Sequence, residues 1–307
     1  FCLLSINLIS QEKFSKSINF TTDNDLYTSA NRDRYYTSGI FLTYSYLTKN
    51  NTENIEKKIF EWQIGHEMFT PNSPIVISMN EHDRPFAGHL FGGFNLKRVY
   101  KSRILSTSLK IGVIGPNAFA DELQNAIHSL YGFREVIGWK YQIKNALSLN
   151  FGALYIHYLG SDTSNTLDAS WISCVNAGTV YTNVHTGLNI RFGLVPLQKV
   201  MNSIAFNTNL NNADTSYNNK TESFFYFKPT VRLALYDATI QGSFLNTTSL
   251  VTKELIPLVF DMELGFKFTV NRFNFGYVFN YNTSKSKELR YINGNQYGSI
   301  NINYMIR

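Results

Sequence analysis

Apolar and polar residues alternate with a period of two along most of this chain. Between 258 and 270, Leu258, Phe260, Met262, Leu264, Phe266, Phe268 and Val270 form one apolar series, interleaved with Val259, Asp261, Glu263, Gly265, Lys267 and Thr269. The same alternation runs through Ile40, Leu42, Tyr44 and Tyr46, through Leu105 to Val113, through Leu147 to Tyr155, and through Phe273 to Tyr281. A period of two sends successive side chains to opposite faces of a strand, so each segment has one greasy face and one wetter face. The alternations last about 9 to 13 residues, whereas strands of soluble domains average about 5 or 6. That length favours bilayer-crossing strands over a soluble β-sandwich.

Strands are predicted near 16–24, 37–47, 59–68, 87–98, 102–114, 145–158, 169–180, 183–194, 223–237, 256–270, 273–283 and 296–306. Residues 239–250 alternate weakly and are read as loop or as a hairpin extension above the membrane. An even count closes an antiparallel barrel with both termini on one side. The fold expected is therefore all-β, a 12-stranded antiparallel transmembrane barrel with a short helix in an extracellular loop. With periplasmic termini, residues 25–36, 69–86 and 115–144 become outer loops. Asn271-Arg272 and the KRVYKSR stretch near 97–103 become inner turns. The polar segment 196–221 is awkward in this scheme, being a long connection on the inner side.

Composition agrees with a membrane barrel. Charged residues make up 16% of the chain, below the roughly one quarter usual in soluble domains, and aromatics reach 15%. No later segment approaches the roughly 20 apolar residues of a membrane helix. The opening run FCLLSINLIS, residues 1–10, reads as the tail of a signal peptide removed before Gln11, with 11–307 as one barrel domain. Cys2 falls in that run, which leaves Cys174 alone in the barrel. The net charge of +6 suits an anionic ligand, although several cations fall in inner turns.

One interruption stands out, IGVIGPNAFADELQNAIH at 111–128. Here a strand breaks at Gly115-Pro116 and becomes a short helix carrying Gln124 and His128. Two other outer segments are unusual, NDLYTSANRDRYYTSG (Asn24 to Gly39) and DRPFAG (Asp83 to Gly88), and Gly138-Trp139 follows the helix. Taken singly, each has an ordinary structural reading. Asn24-Asp25 is turn chemistry, Thr37 packs a strand start, Gln124 is a helix-surface residue and His128 a solvated one. Asp83 and Arg84 read as an ion pair ordering the second outer loop. His157 and His185 read as wall or lumen residues, and His66, His82 and His89 lack metal-ligand spacing. The stripe of Phe and Tyr reads as lipid-facing wall and girdle.

The ordered set of motifs, with these intervals and twelve alternating segments around them, resembles the outer-membrane lipid A 3'-O-deacylase family, LpxR. The resemblance runs from Asn24 to the YING at Tyr291 to Gly294. It implies a bacterial outer-membrane, calcium-dependent esterase that removes 3'-linked acyl chains from lipid A of lipopolysaccharide. It further implies His128 and Gln124 as catalytic helix residues, Asn24 and Asp25 as the strand-end pair and Thr37 as the hydroxyl opening strand 2. The residue types suit that chemistry. A neutral His128 can activate water, Gln124 lies one turn earlier on the same helical face, and Asn24 and Asp25 offer hard oxygen ligands for Ca²⁺. No GxSxG elbow is present.

Two departures stand against the family pattern. Arg134, followed by Glu135, occupies the place where some members carry an acid about six positions after the histidine. The stretch Phe69 to Asp83 is poor in lysine. The chain also ends on Arg307 rather than an aromatic, although Tyr304 and Ile306 continue the alternation. Expected partners are lipopolysaccharide and membrane lipids, with no nucleic acid, and the chain is expected to act as a monomer. The rival readings are an outer-membrane phospholipase, which needs a serine and histidine on the outer wall, and a non-enzymatic pore or adhesin.

Overall fold

The computed structural model describes residues 13–28, 34–49, 52–73, 75–212 and 221–307. The apolar run 1–10 lies outside the described residues. Twelve antiparallel strands close into one barrel, each paired with its neighbours in sequence and the first with the last. They are β1 (Lys16–Asn24), β2 (Tyr35–Thr48), β3 (Lys57–Thr70), β4 (Ala87–Val99), β5 (Arg103–Ile114) and β6 (Ala146–Ser161). The round continues with β7 (Leu167–Gly178), β8 (Tyr181–Gly193), β9 (Ser223–Asp237), β10 (Leu258–Val270), β11 (Phe273–Asn282) and β12 (Asn295–Ile306). All twelve predicted strands are present, and several extend past the apolar runs because polar residues such as Tyr35, Lys57 and Ser161 still pair in the ladder. Segment 239–250 holds a single helical turn, α2 (Ala238–Gln241), followed by turns.

The period-two pattern sorts side chains as anticipated. Ile18, Phe20, Leu42, Tyr44, Trp62, Ile64, Ile111 and Phe151 project outward and stay exposed, as lipid-facing residues of a barrel must. Asn19, Glu61, Lys97, Ser106 and Asn189 turn into the lumen. Near the inner end of the wall, rings of Phe225, Phe266, Phe268, Phe275, Phe273 and Tyr304 touch in series at centroid separations of 4.6–5.7 Å. This is one arc of an interfacial girdle.

The lumen is polar and charge-paired. Lys97 meets Glu61 at 2.9 Å, Arg232 meets Asp261 at 2.9 Å, and Lys228 pairs with Glu263. These three cations are therefore used inside the barrel rather than displayed to a ligand.

The long inner connection between β8 and β9 folds back into the barrel mouth. Val200, Phe206 and Leu210 pack on lumenal Ile59, Val99, Ile104, Ile156, Ile172 and Met305. Lys57 Nζ donates to Asn202 Oδ1 (2.9 Å) and Thr208 O (2.7 Å), and Lys97 Nζ donates to Phe206 O (3.0 Å). Arg191, wholly buried, holds Asp168 by two bonds (2.9 and 2.5 Å) and Ser203 Oγ by another (2.5 Å). A polar segment on the inner side is thus explained: its backbone and amides satisfy cations at the plugged end. At the outer end Phe69, Ala87, Ile114, Ile143, Val180 and Ala238 form a second apolar layer, so apolar clusters stand near both ends of the lumen.

Candidate active site

The break at Gly115 is a backbone requirement. Its φ is +103°, and a Cβ there would lie 2.7 Å from the backbone of Lys144 and Asn145, so only glycine fits. Pro116 opens a short 3₁₀ turn, and helix α1 (Ala120–Tyr131) follows. The helix lies against the outside of the barrel. Ala120 and Leu123 pack with Met68, Val76, Phe86, Val136 and Trp139. Gly88 on β4 permits this approach, since a Cβ there would meet Ala120 Cβ at 2.5 Å and Ala118 Cβ at 3.1 Å. Ala118 O accepts from His66 Nε2 on the wall at 2.9 Å.

Gln124 lies on the buried face of α1, 3% exposed, and its Oε1 accepts from Trp139 Nε1 at 2.9 Å. Its amide oxygen thus fastens the helix to the Gly138-Trp139 segment. His128 sits half-buried in the last helical turn. Its Nδ1 lies 2.7 Å from the carbonyl oxygen of Arg134, and its ring meets Phe133 edge-on at 5.5 Å. A carbonyl can only accept, so Nδ1 carries a proton, and in the neutral ring the lone pair then belongs to Nε2. The group at position 134 that orients the imidazole is therefore backbone, which any residue supplies, and the missing acid costs nothing in this bond.

Asn24 ends β1 on the outward face shared by Ile18 and Phe20, and it pairs with Ser38 on β2 and Gly298 on β12. Its Oδ1 accepts from Leu26 N at 2.8 Å and caps a 3₁₀ turn, the turn chemistry read from the sequence. Asp25 follows, 1% exposed, its Oδ2 accepting from Arg34 N at 2.7 Å. Thr37 sits at a bulge of β2, where the register with β3 shifts between Tyr36 and Ser38, and its hydroxyl lies 2.5 Å from that of Thr70. Strand pairing thus groups Asn24, Asp25 and Thr37 at one stretch of rim. The α1 assembly is anchored on the next strands, through Met68 and Gly88. Thr70, Trp139 and Arg34 complete this neighbourhood. Trp139 and Arg34 belong to segments singled out by sequence, whereas nothing in the sequence marks Thr70.

The rim is braced by Asp83 and Arg84, which act through separate partners instead of pairing with each other. Asp83 accepts from Tyr35 OH (3.0 Å), Asn72 N (2.9 Å) and Arg290 N (3.0 Å), tying three outer segments together. Arg84 donates to Tyr35 O (3.2 Å) and Thr239 Oγ1 (2.8 Å) and lies over the Phe69 ring. Burial pushes its guanidinium down to about 10, partly opposed by the charge of Asp237.

The oxygen donors at the rim fit a hard cation. Asn24 and Asp25 supply amide, carboxylate and carbonyl oxygens, the ligand set Ca²⁺ takes. Among the described residues no group of three His, Cys, Asp or Glu could hold a metal, so carbonyls, hydroxyls or water would have to complete the shell.

Of the remaining histidines, His157 is exposed on the barrel wall and stacks on Tyr155. His82 Nδ1 donates to the carbonyls of Ser78 and Met79, while His185 lines the lumen. His89 is different. Its Nδ1 meets Glu67 Oε2 at 2.8 Å and its Nε2 meets Ser148 Oγ at 2.8 Å, the order of a nucleophile, base and acid. Ser148 and His89 are, however, 0% and 1% exposed inside the lumen, beneath the outer apolar layer. A serine and histidine do meet, but on the wrong side of the wall for an outer-surface phospholipase.

A family model described as outer membrane protein LpxR matches residues 1–306. The chain belongs to the LpxR family. Among solved structures, LpxR from Salmonella typhimurium is similar with a TM-score of 0.74 and 18% identity, covering 94% of this chain and all of that one. The β-domain of the Bordetella autotransporter BrkA overlays with a TM-score of only 0.45 and 8% identity, over 96% of this chain and 99% of that one. No curated protein sequence matches. LpxR membership and the closed barrel put this protein in the bacterial outer membrane, in contact with membrane lipid.

Proposed function

We propose that this LpxR-family barrel is a lipid A 3'-O-deacylase, hydrolysing the 3'-linked acyl ester of lipopolysaccharide at the membrane surface. The observation that carries the reading is the Nδ1–H of His128 fixed on the Arg134 carbonyl, the tautomer in which Nε2 serves as the base, on an element docked outside the barrel at the rim. Nε2 takes a proton from water as the water oxygen attacks the ester carbonyl, then returns it to the departing sugar oxygen. A positioned base of this kind contributes roughly 10²–10⁴ in rate. Asn24 and Asp25 are the residues that would hold Ca²⁺, and a bound ion supplies Lewis-acid polarisation of the scissile carbonyl. Thr37, braced by Thr70, offers a hydroxyl to the substrate, and Gln124 acts on His128 indirectly by holding α1 through Trp139.

Two features weigh against the rivals. Apolar clusters occupy the lumen near both ends, which opposes a passive pore. The serine–histidine contact is sealed within it, which opposes a serine phospholipase. Mass spectrometry of lipid A from a host expressing wild type or His128→Ala tests the reading: wild type alone should remove the 3'-acyl group. Loss of acyl chains from phospholipids instead would establish the phospholipase alternative.

A further inference from the structure

The face of α1 turned away from the barrel is itself divided. Ala120, Leu123 and Gln124 point to the wall and to Trp139. On one flank, Phe119, Ala126 and Leu130 recur at i, i+7 and i+11 and are all exposed, with Phe119 59% and Leu130 80% accessible. At 3.6 residues per turn Ala126 and Leu130 share one line along the helix, and Phe119 is the left-handed residue that caps its start. Glu122 and Ser129 stand about 60–80° round the helix from that line, with Asn125 and Asp121 beyond them. Phe119 is held in the left-handed backbone region, φ +56°, a conformation that favours glycine or asparagine over a bulky aromatic. What its exposed ring meets depends on where the helix sits.

The position of the helix supplies the neighbour. Ala118, immediately before Phe119, is bonded to His66 on the outward face of β3 and abuts Gly88 on β4. Two residues along that outward face from His66 is Ile64, and two further is Trp62, both more than half exposed in the lipid-facing belt. The start of α1 therefore continues the surface that the barrel already presents to acyl chains. We propose that α1 lies in the outer leaflet, with the Phe119–Ala126–Leu130 flank in the acyl layer and the Glu122–Ser129 flank toward headgroups and water. The occupant of this apolar flank is lipid hydrocarbon. The proposal adds to the catalytic reading a means of holding His128 at the depth of an acyl ester. It is tested by depth rather than turnover, so either can fail alone.

Single cysteines at Phe119, Leu130, Glu122 and Ser129, in a protein whose Cys2 and Cys174 are serine, are spin-labelled and reconstituted in lipopolysaccharide-containing vesicles. Ile64→Cys serves as the lipid reference and Ser164→Cys, in an exposed inner turn, as the water reference. Only protein that keeps the heat-modifiable mobility of a folded barrel is measured. The ratio of oxygen to nickel-chelate accessibility is expected to match Ile64 at Phe119 and Leu130 and to be several-fold lower at Glu122 and Ser129. Equal ratios around the helix, or water-like ratios at Phe119 and Leu130, would overturn the proposal.

Discussion

Helix α1 approaches the barrel tightly at Gly88, and adding one methyl group there should lift the helix from the wall. In Gly88→Ala the new Cβ would sit 2.5 Å from Ala120 Cβ and 3.1 Å from Ala118 Cβ, where carbon atoms prefer about 3.5–4.0 Å. The helix must therefore retreat by about 1 Å, and overpacking of this sort costs about 1–3 kcal/mol. A value near 2 kcal/mol corresponds to a roughly 30-fold shift in the docking equilibrium. The barrel ladder is untouched, so heat-modifiable mobility should stay wild type. Protease cutting within 115–145 should rise and lipid A deacylation should fall together. Ala120→Gly removes the nearest obstacle, and the double variant should recover most of both readouts, less about 0.5–1 kcal/mol for glycine in a helix. Wild-type behaviour of Gly88→Ala, or a double variant no better than the single, would refute the docking geometry described here.

Other outcomes follow from the same contacts. Trp139→Phe strips the donor from its bond to buried Gln124, a loss of about 1–3 kcal/mol, and should loosen α1 and slow deacylation; unchanged proteolysis and activity would show that the bond does not hold the helix. Replacing 198–212 with a short flexible linker should turn a barrel that is silent in planar bilayers into one with discrete ion conductance, whereas conductance by the intact protein would contradict the plug. Burial lowers Lys285, in the last outer loop, to about 8 from 10.5, so below about pH 8 both folded and unfolded chains are charged and the full penalty is present. As pH rises from 8 to 10.5 the folded state loses its proton first and stability increases. Thermal midpoints in detergent should climb over that window in wild type more than in Lys285→Met, and parallel curves would dismiss the buried charge.

The barrel was legible because a closed wall imposes its period on every strand: Leu258 to Val270 alternates as the observed faces do, and the turn at Asn271-Arg272 falls where the polar residues put it. The ends of strands were less legible, since Tyr35 and Lys57 pair through backbone that carries no hydropathy signal. The plug could not be foreseen from 196–221, because polar residues look alike whether water or a buried lysine satisfies them. Around the site, Gly115-Pro116 and His128 were marked by an interruption of pattern. The Thr37–Thr70 contact and the orienting carbonyl of Arg134 were not, since one is a cross-strand meeting and the other a backbone group. Asp83 and Arg84 read in sequence as an ion pair, whereas their partners come from four separate segments that only the closed barrel brings together.

The central claim is that His128 Nε2 is the base that hydrolyses the 3'-acyl ester of lipid A. Its most direct test is mass spectrometry of lipid A from cells expressing wild type, His128→Ala or Arg134→Ala, each confirmed as folded barrel, with and without calcium chelation. The account expects loss of the 3'-acyl group with wild type and with Arg134→Ala, whose backbone carbonyl remains, and none with His128→Ala or after chelation. Identical spectra with wild type and His128→Ala would contradict it.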